Sequence, residues 1–186
     1  MLSLFLMILV ALTILIGIWT VATYNGLVRL STLAQEGWSG IDVQLKRRSD
    51  LIPNLVATVK GYQQHESSTL QEVTRLRTAA LNATTTDARM QAEQGLTQAL
   101  RSLFAVAESY PELKANTNFQ QLQEQLSALE DQLQMARRYY NGVAREYNVI
   151  VQQFPSKIVA SFAGFAAQPF FTVDDQQERQ RPNVSF

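Results

Sequence analysis

From Phe119 to Phe154 the chain places an apolar side chain at alternating steps of three and four residues. Phe119, Leu126, Leu133, Tyr140, Tyr147 and Phe154 fall seven apart, and Leu122, Leu129, Ala136, Val143 and Ile150 fill the intervals. At about 3.6 residues per turn this spacing lines all of them up on one stripe of a helix. With a polar start at Asn116 that helix is roughly 58 Å long, at about 1.5 Å per residue. A stripe of that length is not buried by its own helix, so other long helices must lie along it. An all-α fold follows.

The 186 residues amount to one domain with something left over. Sixteen basic and sixteen acidic residues cancel, so there is no bulk electrostatic pull towards nucleic acid and no nucleic-acid partner is expected. The chain has no cysteine. Disulfides, thiolate zinc sites, a cysteine nucleophile and a lipid-modified N-terminal cysteine are therefore excluded, while the redox compartment stays open.

Leu2 to Val21 is a run of about 20 residues without charge, long enough to cross a hydrocarbon core of roughly 30 Å. Trp19 and Tyr24 stand where an interfacial aromatic belt would be. A cleaved signal peptide is the rival reading, but the basic n-region and the A-x-A site are missing and the apolar run is long. The expectation is an uncleaved single-pass anchor. Arg29, Lys46, Arg47 and Arg48 follow it, so positive-inside reasoning places the following domain on the cytoplasmic side, with the extracytoplasmic side as the alternative.

Beyond Tyr24 the pattern turns amphipathic, with Leu27, Leu30, Ala34, Trp38, Ile41 and Leu45 three or four apart. No breaker separates this stretch from the anchor, so the membrane helix is expected to continue into it. Asp50 and Pro53 suggest a turn near residues 48–51, with a kinked continuous helix as the alternative. Ile52, Leu55, Val59, Tyr62, Leu70, Val73 and Leu76 then mark a second helix ending around Asn82. The run NATTTD (82–87) is a loop. Leu96, Leu100, Leu103, Ala107 and Tyr110 mark a third helix that stops at Pro111, and Leu113 plugs inward from the connector. Thr117 with Gln120 reads as a capping box for the long fourth helix. The expected fold is an N-terminal transmembrane helix (1–23) continuing into an antiparallel up-and-down four-helix bundle (24–154), with helices at about 24–49, 51–82, 87–110 and 116–154. Residues 155–186 form a Phe-rich tail covering the bundle, with Asp174 to Pro182 polar; partner or membrane docking is the alternative role for its aromatics.

His65-Glu66 opens like a zinc-protease motif, but Thr69 stands where the second histidine belongs, so no metal site is expected. Lys46-Arg47-Arg48, with Asp42 and Asp50 nearby, is the densest charge cluster. It reads either as a basic C-terminal helix turn complementing the dipole or as a site for a protein or peptide carboxylate. Lipid head groups are disfavoured there, because on a continuous helix the cluster lies roughly 35–40 Å beyond the end of the span. Tyr140-Asn141 and Tyr147-Asn148 point the same way and, with Arg137, Arg138 and Arg145, form a polar edge beside the stripe. Hydrogen bonding between helices explains that edge, with an anionic or peptide ligand as the alternative. No phosphate-cradling loop or nucleophile elbow is present, so neither catalysis nor a cofactor is expected.

Four separated blocks, WSGIDVQLKRRSDLIPNLVATVKGYQQHE (38–66), AVAESYPELKANTNFQQLQEQL (105–126), ARRYYNGVAREYN (136–148) and FPSKIVASFAGF (154–165), resemble the LemA family. So do the step Tyr24-Asn25-Gly26-Leu27 and the terminal Val184-Ser185-Phe186. Ser49, where that family usually has tyrosine, and Gly26 depart from the pattern. The resemblance implies a bacterial, membrane-anchored four-helix bundle in the inner membrane and supplies no mechanism. One branch of the family works at a specialised bacterial membrane. The expected role is a scaffold or adaptor that binds the bilayer through residues 2–21 and engages a protein partner; the alternative is a membrane organiser that self-associates into large homo-oligomers.

Overall fold

The structure is a computed structural model describing residues 1–62 and 67–171. Among the described residues there are six helices and no strand: α1 (Leu2–Lys60), α2 (Ser67–Asn82), α3 (Thr86–Ala107), α4 (Pro111–Lys114), α5 (Thr117–Gln152) and α6 (Ser156–Phe162). His65, Glu66 and the polar stretch from Asp174 to Pro182 lie outside the described residues, as does the terminal Val184-Ser185-Phe186.

The turn expected near residues 48–51 is not there. α1 passes through Pro53 and runs on to Lys60, so the expected helices at about 24–49 and 51–82 are replaced by α1 and α2. Proline lacks an N–H, which strips the carbonyl four residues earlier of its helical partner. Here that carbonyl belongs to Ser49, and it accepts a hydrogen bond of 2.8 Å from Nε of Arg77 on α2. A side chain from another helix thus takes the place of the missing donor, and the helix has no reason to break. The buried register agrees. Ile41, Arg48 and Leu55 fall seven apart, as do Leu45, Ile52 and Val59, and all six are buried.

Along α5 the stripe is uneven. Phe119, Leu126, Leu133, Tyr140 and Tyr147 are buried, while Leu122, Leu129, Ala136, Val143 and Ile150 are half-buried along its edge. Phe154 does not belong to the stripe: the helix ends at Gln152, and Phe154 stands 81% exposed beyond it. The hydroxyl of Ser156 donates at 2.7 Å to the carbonyl of Ile150, a last-turn acceptor, and at 3.0 Å to that of Gln153, which also accepts the Lys157 N–H at 2.8 Å. At the other end, the Phe119 N–H donates to Oδ1 of Asn116 at 3.0 Å. Asn116, rather than Thr117, therefore supplies the cap.

The chain forms two compact units, both drawing on α1 and α5. The first comprises Met1–Ile41 and Met135–Phe170. Its core is Leu27, Leu30, Tyr147 and Ala160, with Leu33, Val143, Ile150, Val151 and Phe165 packed against it. Gly37 permits a close approach of α1 to α5, since a Cβ there would lie 3.3 Å from both the Tyr139 ring and the Tyr140 Cα. α6 closes on a left-handed Gly164 with φ 76°. The Phe165 N–H reaches back to the Ala160 carbonyl at 2.9 Å, and the Gly164 N–H to that of Ser161 at 3.3 Å, which is a Schellman stop. It delivers Phe165 to Tyr24 and Tyr147, with ring centroids 5.7 and 6.4 Å apart.

The second unit comprises Asp42–Gln134 with Phe171 among the described residues. Ile52, Leu55 and Val59 of α1, Leu70 and Val73 of α2, and Leu96, Leu100 and Leu103 of α3 share one core with Leu113 of α4 and Phe119 and Leu126 of α5. Thr85 caps α3, its hydroxyl accepting from the Ala88 N–H at 3.2 Å.

Candidate functional site

The basic cluster Lys46-Arg47-Arg48 does not act as one group. It sits in mid-helix and not at a helix C-terminus, so the dipole account of it fails. One residue per turn faces inward, and Arg48 occupies that register with 2% of its surface exposed, while Lys46 and Arg47 are exposed. Asp42 does not join Arg48 either; it pairs with Arg89 of α3 at 2.9 Å.

Around Arg48 the second unit builds a buried ionic network. Nη2 bonds the carboxylate of Glu93 on α3 and, at 3.3 Å, the Glu93 carbonyl. Nη1 donates to Oε2 of Glu130 at 2.9 Å and to the Thr97 hydroxyl at 2.8 Å, which in turn donates to the Glu93 carbonyl at 3.1 Å. Glu93 is itself 3% exposed, so the two charges are taken out of water together. Beside the network opens a cleft of about 240 Å³. Arg48, Thr97 and Glu130 form its polar base, with Arg101, Gln123 and Ser127 around it and Leu100, Phe104 and Leu126 giving apolar walls. The cleft presents a fixed guanidinium already committed to two carboxylates, together with an amide and a hydroxyl. That set suits a small group carrying both donors and acceptors.

The remaining candidates belong to the first unit. The side-chain amide of Asn148 is fully engaged: Nδ2 donates to the Gln168 carbonyl, and Oδ1 accepts from the Gln168 N–H, both at 2.8 Å. Tyr140 donates to the Pro169 carbonyl at 2.7 Å and meets Trp38 edge-on. These residues therefore hold the extended segment after α6, and not another helix as the hydrogen-bonding reading had it. Burial pushes the hydroxyl pKa of Tyr140 above its ordinary value, and that of Tyr147 likewise. Arg137 is buried, Asn141 half-buried and Arg138 exposed. Among the described residues no group of three or more His, Asp or Glu is placed to hold a metal ion.

Glu93, Thr97, Glu130 and Arg77 were missed in the sequence. The signal for Glu93 was present: it stands three residues before Leu96 and seven before Leu100, on the apolar face of α3, where a carboxylate needs a cation. Arg48 carried the matching signal, three residues after Leu45 and four before Ile52.

α1 contains a stretch long and apolar enough to cross a membrane, and none of that stretch is buried in the protein. Helical among the described residues, with one helix long and apolar enough to cross a membrane, the chain has the make-up of a membrane-associated helical protein. Residues 37–186 match the LemA family, and the chain belongs to it. Among curated relatives it is similar to Magnetosome protein MamQ 2 of Paramagnetospirillum magneticum, 25% identical over 174 residues covering 80% of this chain and 64% of the relative. Magnetosome protein MamQ of Magnetospirillum gryphiswaldense is 24% identical over the same coverage. Protein LemA of Metamycoplasma hominis is 28% identical over 140 residues, covering 73% of this chain and 63% of that protein. The chain thus spans less than two thirds of the length of these relatives.

Proposed function

We propose that this protein is a non-enzymatic, single-pass scaffold or adaptor of the bacterial inner membrane, with residues 2–21 in the bilayer and the helical part, read as a four-helix bundle closed by its Phe-rich tail, on the cytoplasmic side. One observation supports this most directly: the unburied apolar stretch and the core residues Leu27 and Leu30 belong to one helix without a linker. A helix that enters a core immediately after leaving a bilayer holds its domain at a fixed distance from that bilayer, which is what an adaptor needs.

The partner-facing residues in this reading are Lys46 and Arg47, the exposed pair left after Arg48 turns inward. An acidic protein segment is the partner of matching chemistry. In-cell crosslinking with mass spectrometry on wild type and on the Lys46→Gln/Arg47→Gln variant tests it. The exposed pair contributes at most about 1 kcal/mol to folding, so thermal stability should hold while partner crosslinks fall. Unchanged crosslinks in the folded variant would remove this pair from any interface. The magnetosome proteins among the relatives favour a second reading, a self-assembling membrane organiser. Size after gentle detergent extraction separates the two: a small particle supports the adaptor, and a very large homo-oligomer the organiser.

A further inference from the structure

The first unit holds a groove of about 600 Å³ formed by two stretches far apart in sequence: Ile16, Trp19 and Tyr24 on α1, and Ile158, Val159 and Phe162 on α6. Its walls are apolar, and the one hydroxyl on its α1 side below Tyr24, that of Thr20, is consumed by the Ile16 carbonyl at 2.8 Å. The rim is more exposed than water tolerates easily. Phe162 is 92% exposed and Ile158 49%, and the neighbouring Phe154 is 81% exposed. Fraying does not account for this, because the Schellman stop at Gly164 and the packing of Phe165 hold α6 in place.

The level of the groove is set by α1. The apolar run ends at Val21, and twenty residues at about 1.5 Å each match a hydrocarbon core of roughly 30 Å. Ile16 to Tyr24 therefore mark the boundary between acyl chains and head groups, with Trp19 and Tyr24 as interfacial aromatics. α6, which lines the same groove, has its exposed surface divided to suit that boundary. Taking about 100° per residue, Ile158 and Phe162 lie about 40° apart, while Lys157 and Ser161 share the adjacent flank. Val159 and Ala160 face the protein.

The geometry points to α6 as a second membrane contact, with Ile158 and Phe162 among the acyl chains, Lys157 on the head-group side, and the groove occupied by an acyl chain of a bilayer phospholipid. The occupant follows from continuity: the groove opens onto the same unburied apolar surface of α1 that the bilayer surrounds. The inference rests on residues 2–21 crossing the membrane.

A chain without cysteine takes single labels cleanly. The full chain carrying L9C, I158C, S161C or F162C, each labelled with an environment-sensitive fluorophore, is reconstituted into phosphatidylcholine–phosphatidylglycerol vesicles. Quenching is then read from aqueous iodide and from bromines on the acyl chains. The labels of L9C, I158C and F162C should be quenched by brominated lipid, and iodide should reach that of S161C at least about threefold better than that of F162C. If iodide reaches the L9C label, the membrane reading itself fails. An L9C label in hydrocarbon with freely iodide-accessible I158C and F162C labels overturns the role of α6 and leaves the anchor standing. I158C and F162C labels shielded from iodide and also from brominated lipid would mean that protein, such as a second copy, covers the groove, and would equally overturn the proposal.

Discussion

The two units differ in how their buried polar groups are bonded. The second pairs buried charge: Arg48 bonds the buried Glu93 and the half-buried Glu130, and the half-buried Arg77 guanidinium caps a carbonyl orphaned by proline. The first buries Arg137 too, but its buried Tyr140, Asn148 and Ser156 are neutral groups that each bond backbone carbonyls. A neutral hydrogen bond is worth about 1 kcal/mol net and fails gently, whereas a buried ion left without its partner costs several times more. The same contrast governs the two prolines near the long helices. At Pro53 a remote arginine covers the orphan carbonyl and the helix continues. Before Pro155 the helix stops, and the adjacent Ser156 takes the last-turn carbonyl of Ile150.

The sharpest break of this comparison is Arg48→Met. It keeps the volume and helix propensity and leaves Glu93 buried without a cation, so a loss of about 3–5 kcal/mol is expected in denaturant unfolding of the detergent-solubilised chain. The triple variant R48M/E93L/E130M should recover most of that loss, because it removes all three charges together. A single variant as stable as wild type would mean that water, not Arg48, compensates Glu93.

Arg77→Leu comes next, with an expected loss of about 1–3 kcal/mol from leaving the Ser49 carbonyl unpaired. The informative partner is Pro53→Ala, which returns an N–H to the helix ladder and supplies that carbonyl locally. In the P53A background the cost of R77L should shrink to about 0.5 kcal/mol, the scale of a lost packing contact. Equal costs in both backgrounds would show that Arg77 stabilises α1 by some other route than the proline gap.

Much of this was legible beforehand. The helical class and the apolar span came directly from spacing and composition, and so did a break between α2 and α3. That break is shorter than the expected 82–87: Asn82 ends α2 and Thr86 and Asp87 already belong to α3, leaving residues 83–85. At residues 48–53 the apolar register is the stronger signal and Pro53 the weaker one, since α1 runs through it. Ile41, Leu45, Ile52 and Leu55 keep their phase straight through the proposed turn, which a chain reversal would have reset. What no local pattern could supply was Arg77, because its role depends on a carbonyl 28 residues away. The site suffered from the same reliance on sequence neighbours. Lys46, Arg47 and Arg48 look like one cluster on paper, but successive helical residues point about 100° apart, so only one of them can occupy the inward register. Tyr140 and Asn148 do make hydrogen bonds, but to the extended segment at Gln168–Pro169, whose path no periodicity announces.

The smallest expected effect is the pH response of the first unit, and it follows from its neutral chemistry. Tyr140 and Tyr147 have hydroxyl pKa values raised by burial. In the unfolded chain both ionise near the ordinary value of about 10. Below that pH both states hold the proton and the contribution of these groups to stability is fully present. As pH rises past it the unfolded state releases protons first, so the folded state binds more of them and stability falls until the raised folded pKa is passed. For Tyr140 the departing proton is also the one donated to Pro169. Unfolding followed between pH 8 and 11 should therefore show an alkaline loss in wild type. Tyr140→Phe should lose about 1 kcal/mol at neutral pH for the missing hydrogen bond and then decline less steeply. Trp38, edge-on to Tyr140 at 5.5 Å, gives a local readout, since a phenolate beside it would quench its emission. Parallel alkaline slopes for the two proteins would assign the loss to other groups, and the contrast between a charge-pairing and a proton-holding unit would then rest on the Arg48 network alone.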